Sequence, residues 1–156
     1  MTGRNVGVNM AYDTFIGVDP GKNGAIVAIR PNSTPIRTLA DPLSLSIKTC
    51  LTNAFGLIEK VHAMPKQGVT SMFTFGENYG MMQMWLRASL GRERYDYITP
   101  QAWQKHFNLI KKKGETKTQK KNRHKALAQK LFPDIKVTHT NADALLIAWY
   151  CREIHG

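Results

Sequence analysis

The chain has 156 residues, 42% hydrophobic and 21% charged, which suits one folded domain and excludes a disordered or collagen-like polymer. Its 22 basic residues against 11 acidic ones leave a net charge of +11, so the expected partner is a polyanion, nucleic acid ahead of an anionic membrane surface. Cys50 and Cys151 stand far apart with no Cys-x-x-Cys, so neither a disulfide framework nor a zinc cluster is suggested; with no signal-peptide pattern and no run of transmembrane length, a soluble protein of a reducing cytoplasm is expected.

Residues 1–13 are polar and weakly patterned, and are expected to form a loose N-terminal arm ahead of a single domain over 14–156. Thr14–Val18 and Ala25–Arg30 are short β-branched and apolar runs joined by Asp19-Pro20-Gly21-Lys22-Asn23-Gly24, a cluster of turn formers, and this pattern predicts a hairpin. Asp-Pro-Gly at its start suits a type II turn. Pro31–Pro35 predicts another turn, Ile36–Ala40 a third strand, Leu43–Leu51 a helix, and Ala54–Val61 a buried strand that stays apolar until Glu59. From Val69 to Leu90, Met72, Phe75, Tyr79, Met82 and Leu86 recur at helical spacing, with Gly76 and Gly80 on an adjoining stripe. Tyr95–Ile98 reads as a short strand. Thr99-Pro100-Gln101 starts a helix with Trp103 and Phe107 on one face, and Lys117–Phe132 and Thr140–Glu153 read as the last two helices. Early strands, later helices and one intervening strand predict an α/β domain with a mixed central sheet flanked by helices.

Three carboxylates sit at the edges of apolar runs. Asp19 closes Phe15-Ile16-Gly17-Val18, Glu59 follows Phe55-Gly56-Leu57-Ile58, and Asp143 opens Ala144-Leu145-Leu146-Ile147-Ala148-Trp149. Taken singly, Asp19 serves a turn, Glu59 faces solvent or pairs with a base such as Lys60, and Asp143 closes a capping box with Thr140. Taken together, a central strand ending in Asp, a neighbouring strand carrying Glu and a helix start delivering Asp converge on one point. Three hard oxygen ligands there make a site for Mg²⁺ or Mn²⁺.

The basic charge is concentrated. Between Lys105 and Lys130 lie ten Lys or Arg residues and one acid, Glu115, a local charge of +9. Like charges crowded on a short helix repel each other unless a polyanion neutralises them, so Lys105, Lys111, Lys112, Lys113, Lys117, Lys120, Lys121 and Arg123 are expected to track phosphates, with Lys66 as an outlying contact. Lysine predominates over arginine, which fits backbone positioning better than base reading.

The stretches Gly17-Val18-Asp19-Pro20-Gly21-Lys22-Asn23-Gly24-Ala25, Ile58-Glu59-Lys60-Val61-His62-Ala63-Met64-Pro65 running into Gly68-Val69-Thr70-Ser71-Met72-Phe73, and Ala142-Asp143-Ala144-Leu145-Leu146-Ile147-Ala148 resemble a RuvC-type Holliday-junction resolvase of the compact phage and prophage kind. The similarity runs over about residues 14–153 in consistent order, and the second stretch is its most specific part. It implies an RNase H-like fold, a homodimer, and hydrolysis of four-way DNA junctions with two divalent ions per site and no nucleotide cofactor. It also implies a location in the bacterial cell or the phage-infected host. By position, Asp19, Glu59 and Asp143 would be the metal ligands. Many relatives carry a further carboxylate or histidine three residues before the final acid, where Thr140 stands here; His139, one residue earlier, is the candidate for a fourth site residue. His62, Met64 and Phe73 fall where relatives place residues at the junction centre, and Phe75 is expected in the core.

Other readings stay open at this stage. Asp19-Pro20-Gly21 with Gly24-Ala25 also resembles the first phosphate loop of actin-like ATPases, but the second lobe and second glycine-rich loop that those proteins need are missing. An RNase H-like enzyme acting on RNA–DNA hybrids or on flap and fork DNA, and a non-catalytic module that binds branched nucleic acid, are the alternatives.

Overall fold

A computed structural model describes residues 12–30, 35–39, 51–62 and 68–156. Strands β1 (Thr14–Asp19), β2 (Ala25–Ile29), β3 (Pro35–Leu39), β4 (Ala54–Glu59) and β5 (Tyr95–Ile98) form one sheet in the order β3-β2-β1-β4-β5. The first three strands are antiparallel neighbours, while β4 runs parallel to β1 and β5 parallel to β4. The sheet is therefore mixed, and β1 is its centre.

Alternation of side chains along the central strands sorts the core into two layers. Phe15, Val27, Phe55 and Leu57 face one side, where they pack with α4 (Ala142–His155), α2 (Pro100–His106) and α3 (Lys117–Leu131). Ile16, Val18, Ile26 and Ile58 face the other, against Met82, Trp85, Leu86 and Leu90 of α1 (Val69–Leu90). The apolar residues of β1, β2 and β4 are thus buried on both faces of the sheet, which explains continuous apolar runs such as Phe15–Val18.

Helix α4 lies unusually close to β1 because of Gly17. A Cβ at this position would overlap the Ala144 carbonyl and the Ala148 backbone, so only glycine permits the approach. The contact sets the start of α4, and hence Asp143, over the end of the central strand.

The predicted hairpin, third strand, α1, β5 and α2 occur where the sequence pattern puts them, and the α/β class holds. Boundaries move by one residue at β3 and α3, β4 ends at Glu59 rather than at the expected Val61, and α4 starts at Ala142 and ends at His155. The Asp19 turn closes differently: Gly24 N–H donates to the Gly21 carbonyl, and Gly21 lacks the positive φ that type II requires. The reason lies in Asp19, whose carboxylate takes the Gly21 N–H for itself. Of the expected N-terminal arm, Tyr12 packs against Phe55 and Asp13 N–H donates to Asn53, so these two residues belong to the fold. The rest of the arm and the expected helix from Leu43 lie outside the described residues, apart from the buried Leu51.

Candidate active site

Strand parity decides where the first two acids point. Asp19 follows Phe15 and Gly17 by steps of two, and Glu59 follows Phe55 and Leu57, so both belong to the face covered by α4. The parallel register pairs Val18 with Ile58, which brings Asp19 and Glu59 one residue later to the same carboxyl edge of adjacent strands. Neighbouring strands lie about 4.8 Å apart, so two carboxylates at this step feel each other strongly. Asp143 comes from above, in the first turn of α4.

The electrostatics register this meeting. Burial pushes the Asp19 carboxyl up to about 6, the nearby Asp143 charge adds to the rise, and the Gly21 N–H, Lys121 and His124 oppose it. Glu59 is pushed up to about 7, first by burial and then by Asp19, with Asp143 adding further; the Trp103 hydrogen bond and Lys120 pull the other way. The three expected acids therefore share one field, and each has a hydrogen-bond partner. Gly21 N–H donates to Asp19 Oδ1 at 2.9 Å, Trp103 Nε1–H to Glu59 Oε1 at 2.8 Å, and His124 Nδ1 lies 2.7 Å from Asp143 Oδ1.

Trp103 and His124 were not singled out by the sequence, and both are buried, at 0% and 3% exposure. Their rings meet edge to face at 5.4 Å. Trp103 reads from the sequence as an ordinary apolar helix residue, and its indole N–H shows its use only once α2 is laid beside β4. His124 is masked by the lysines around it. The capping box expected at Thr140 does not form: Asn141 is the N-cap without a side-chain cap bond, its Oδ1 turned back to Thr138 N–H. Asp143 is left to face His124.

His139 is exposed and pairs through Nε2 with Asn122 Oδ1 at 2.9 Å; the histidine in contact with Asp143 is His124. His62 is exposed, as is Phe73 at 69%, while Phe75 is half-buried and stacks on Tyr79. Met64 and Lys66 lie outside the described residues.

The basic segment divides into three groups. Lys120 and Lys121, where the first turn of α3 passes into the second, act on the carboxylates, and Lys120 Nζ is steadied by Gln104 Oε1 at 2.8 Å. Lys105, Lys111, Lys112, Lys113 and Lys117 are exposed. Arg123 is different from its neighbours. Its guanidinium grips both Glu115 carboxylate oxygens and the Asn108 and Ile110 carbonyls, and so fastens the lysine loop to α3. The pair lowers Glu115 to about 2, the Arg123 hydrogen bonds being the main cause and the Lys112 N–H the next. Glu115, Gln119, Asn122 and Arg123 line an open depression of about 490 Å³ with Lys112 and Lys113. On α1, Lys22 of the Asp19 turn lines a smaller cleft of about 180 Å³ with Thr70, Ser71, Thr74 and Phe75.

Among the described residues, no three His, Cys, Asp or Glu side chains are drawn together into a formed metal cage. Donor chemistry nonetheless suits a hard divalent ion: three carboxylates in one field, two of them raised by burial and mutual repulsion, lose that repulsion when a cation joins them. Among the described residues no helix is long and apolar enough to cross a membrane. No protein-family model matches the chain, and no curated protein is significantly similar to it.

Proposed function

We propose that this chain is a divalent-metal-dependent DNA endonuclease with an RNase H-like fold that resolves four-way junctions by paired symmetric nicks, in the manner of the RuvC-type enzymes its sequence resembles. One observation carries the reading: Asp19 and Glu59, 40 residues apart, and Asp143, a further 84 along, share one electrostatic field beside Lys120 and Lys121. Those are the acids that the resemblance nominates as ligands.

Asp19, Glu59 and Asp143 would hold the Mg²⁺ or Mn²⁺ ions, which supply a water of lowered pKa and offset charge building on the phosphate. The chain's own side chains do the rest. Gly21 N–H and Trp103 Nε1–H fix the Asp19 and Glu59 carboxylates. Lys120 and Lys121 bring positive charge to a site that must accept a polyanion, and the exposed Lys111–Lys113 loop extends that charge outward.

Two strands of like polarity need two sites, and the outward face of α1 supports a homodimer. Val69 is 86% exposed, Phe73 69% and Met84 65%, with Met72 and Met81 beside them, and a Cβ at Gly76 or Gly80 would meet nothing within 4 Å. Several large exposed apolar side chains along one helix are what a surface covered by a second copy would present. A two-fold pair would present two carboxylate sites to a pseudo-two-fold junction.

The test uses purified protein with synthetic four-way junction, Y-fork, flap, linear duplex and RNA–DNA hybrid, with and without Mg²⁺ or Mn²⁺. Metal-dependent symmetric nicks on the junction are expected. Cleavage of the hybrid alone would move the enzyme to the RNase H class, and binding of branched DNA without any product would make it a non-catalytic module.

A further inference from the structure

We propose that His124 is the positioning residue of Asp143, donating from Nδ1 to Oδ1 at 2.7 Å so that the carboxylate is held in one orientation and its second oxygen is left for the cation. The inference rests on the carboxylates being a divalent-metal site. Three features of the chain carry it.

Burial comes first. The imidazole is 3% exposed, and its Nε2 has no hydrogen-bond partner among the described residues. A leucine or phenylalanine would fill such a seat without stranding a polar atom. Among the described residues, the bond to Asp143 is the one hydrogen bond that offsets this penalty.

The second feature is that the start of α4 does not hold its own acid. Asn141 makes no side-chain cap, and its amide oxygen is engaged by Thr138 N–H. Asp143 therefore takes its orientation from outside the helix. His124 projects from the middle of α3, whose start is fixed by a reciprocal capping pair between Thr116 and Gln119.

Third, the same contact joins two supports into one. Trp103, which donates to Glu59, packs its ring edge to face on His124. The aromatic pair thus backs two of the three carboxylates from helices α2 and α3, and displacement of one ring disturbs both acids. Groups that orient metal-bound carboxylates typically change metal affinity by 10–100-fold when removed.

Amide replacements separate orientation from filling. The His124→Asn side chain carries its amide at the position of Nδ1, whereas His124→Gln reaches only the position of Nε2 and His124→Leu fills the seat without a donor. Mn²⁺ binding is measured by titration calorimetry or electron paramagnetic resonance on the DNA-free full chain, with circular dichroism as the check on folding. His124→Asn should stay within a few-fold of the unaltered protein, and His124→Gln and His124→Leu should bind about 10–100-fold more weakly. Should His124→Leu fail to fold, the Asn and Gln pair decides alone. Equal affinity in all variants, or an Asn variant as weak as the Gln one, would overturn the inference and leave His124 a core residue. If the folded, unaltered chain takes no Mn²⁺, the metal-site reading fails and this inference falls with it, an outcome distinguished from the others by the unaltered protein itself.

Discussion

The carboxylate edge and the lysine loop hold most of the charge that matters here, and they are built in opposite ways. Asp19 and Glu59 sit on the last residues of two paired strands and Asp143 in the first turn of a helix, each short side chain held by a donor from another residue. Lys111, Lys112 and Lys113 are exposed, and their loop is secured through its backbone, by Arg123 at the Asn108 and Ile110 carbonyls and by Glu115 at the Lys112 N–H. In the proposed function the difference would separate two tasks. A reacting phosphate requires ligands fixed to a fraction of an ångström, whereas a backbone of repeating phosphates is followed by mobile ammonium groups that adapt. Arginine in this segment holds the loop, and in the proposed function lysine would meet the anion.

Charge removal at the carboxylate edge should act most strongly. Asp19→Asn, Glu59→Gln and Asp143→Asn should each lower the cleavage rate by about two orders of magnitude or more while junction binding persists, because amides keep shape and lose charge. Single-turnover cleavage beside a gel-shift assay checks this; a folded variant cutting at the unaltered rate removes that acid from the site. His139→Ala, at an exposed residue bonded to Asn122, should cost far less than any of the three.

Acidity sharpens the same point. Asp19 rises from 3.8 to about 6 and Glu59 from 4.5 to about 7 in the folded chain, so the native state binds these protons more tightly than the unfolded one. Their contribution to stability is present at low pH and is lost as pH climbs from about 4 through 7. At about 1.4 kcal/mol per tenfold change in proton affinity, the loss is of the order of a few kcal/mol for the metal-free protein. Melting curves at pH 5 and pH 8 in EDTA should show the decline from these groups, an Asp19→Asn, Glu59→Gln double variant should flatten it, and Mn²⁺ should restore stability at pH 8. Indistinguishable pH dependence in the double variant would mean that burial and repulsion at the edge are not what the geometry indicates.

At the exposed lysine loop, replacing Lys111, Lys112 and Lys113 by Ala should weaken junction and duplex binding together and flatten the slope of log K against log salt by up to about 0.9 per lost phosphate contact. Arg123→Ala should act in another way, raising amide hydrogen exchange over residues 108–115 by releasing the loop, with a smaller change in salt slope. Identical slopes for the triple variant and the unaltered protein would reduce the lysine loop to a solvated surface.

The smallest expected effect on the monomer is at α1. A side chain at Gly80 meets nothing within 4 Å, so Gly80→Leu should leave the protomer folded. Light scattering should nonetheless show less dimer, and paired incision should be lost before DNA binding. A monomer for the unaltered protein, both free and on the junction, would turn the reading toward a single-site nuclease.

How far the sequence reached is clearest in single residues. Asp19 and Glu59 were legible because strand parity and the ends of apolar runs are local properties, and local properties survive folding. Asp143 was legible as the start of a helix, but its expected partner Thr140 was wrong for a physical reason: a capping box is one of several bonds open to that carboxylate, and a histidine 19 residues away competes better. Trp103 and Glu59 are 44 residues apart, and no periodicity links an indole to a carboxylate over that distance. Arg123 sits among lysines and shares their charge, so the sequence grouped it with them.

By itself, then, the sequence determined the α/β class, the strands and helices that carry the acids, and the segment that concentrates positive charge, because alternation, helical spacing and charge density are written along the chain. Only the tertiary structure decided which side chains steady those acids and which basic residue holds the loop. Those choices depend on the approach of α4 at Gly17, the parallel register of β1 and β4, and the packing of α2 on α3, distances that exist only after elements far apart in sequence are brought together.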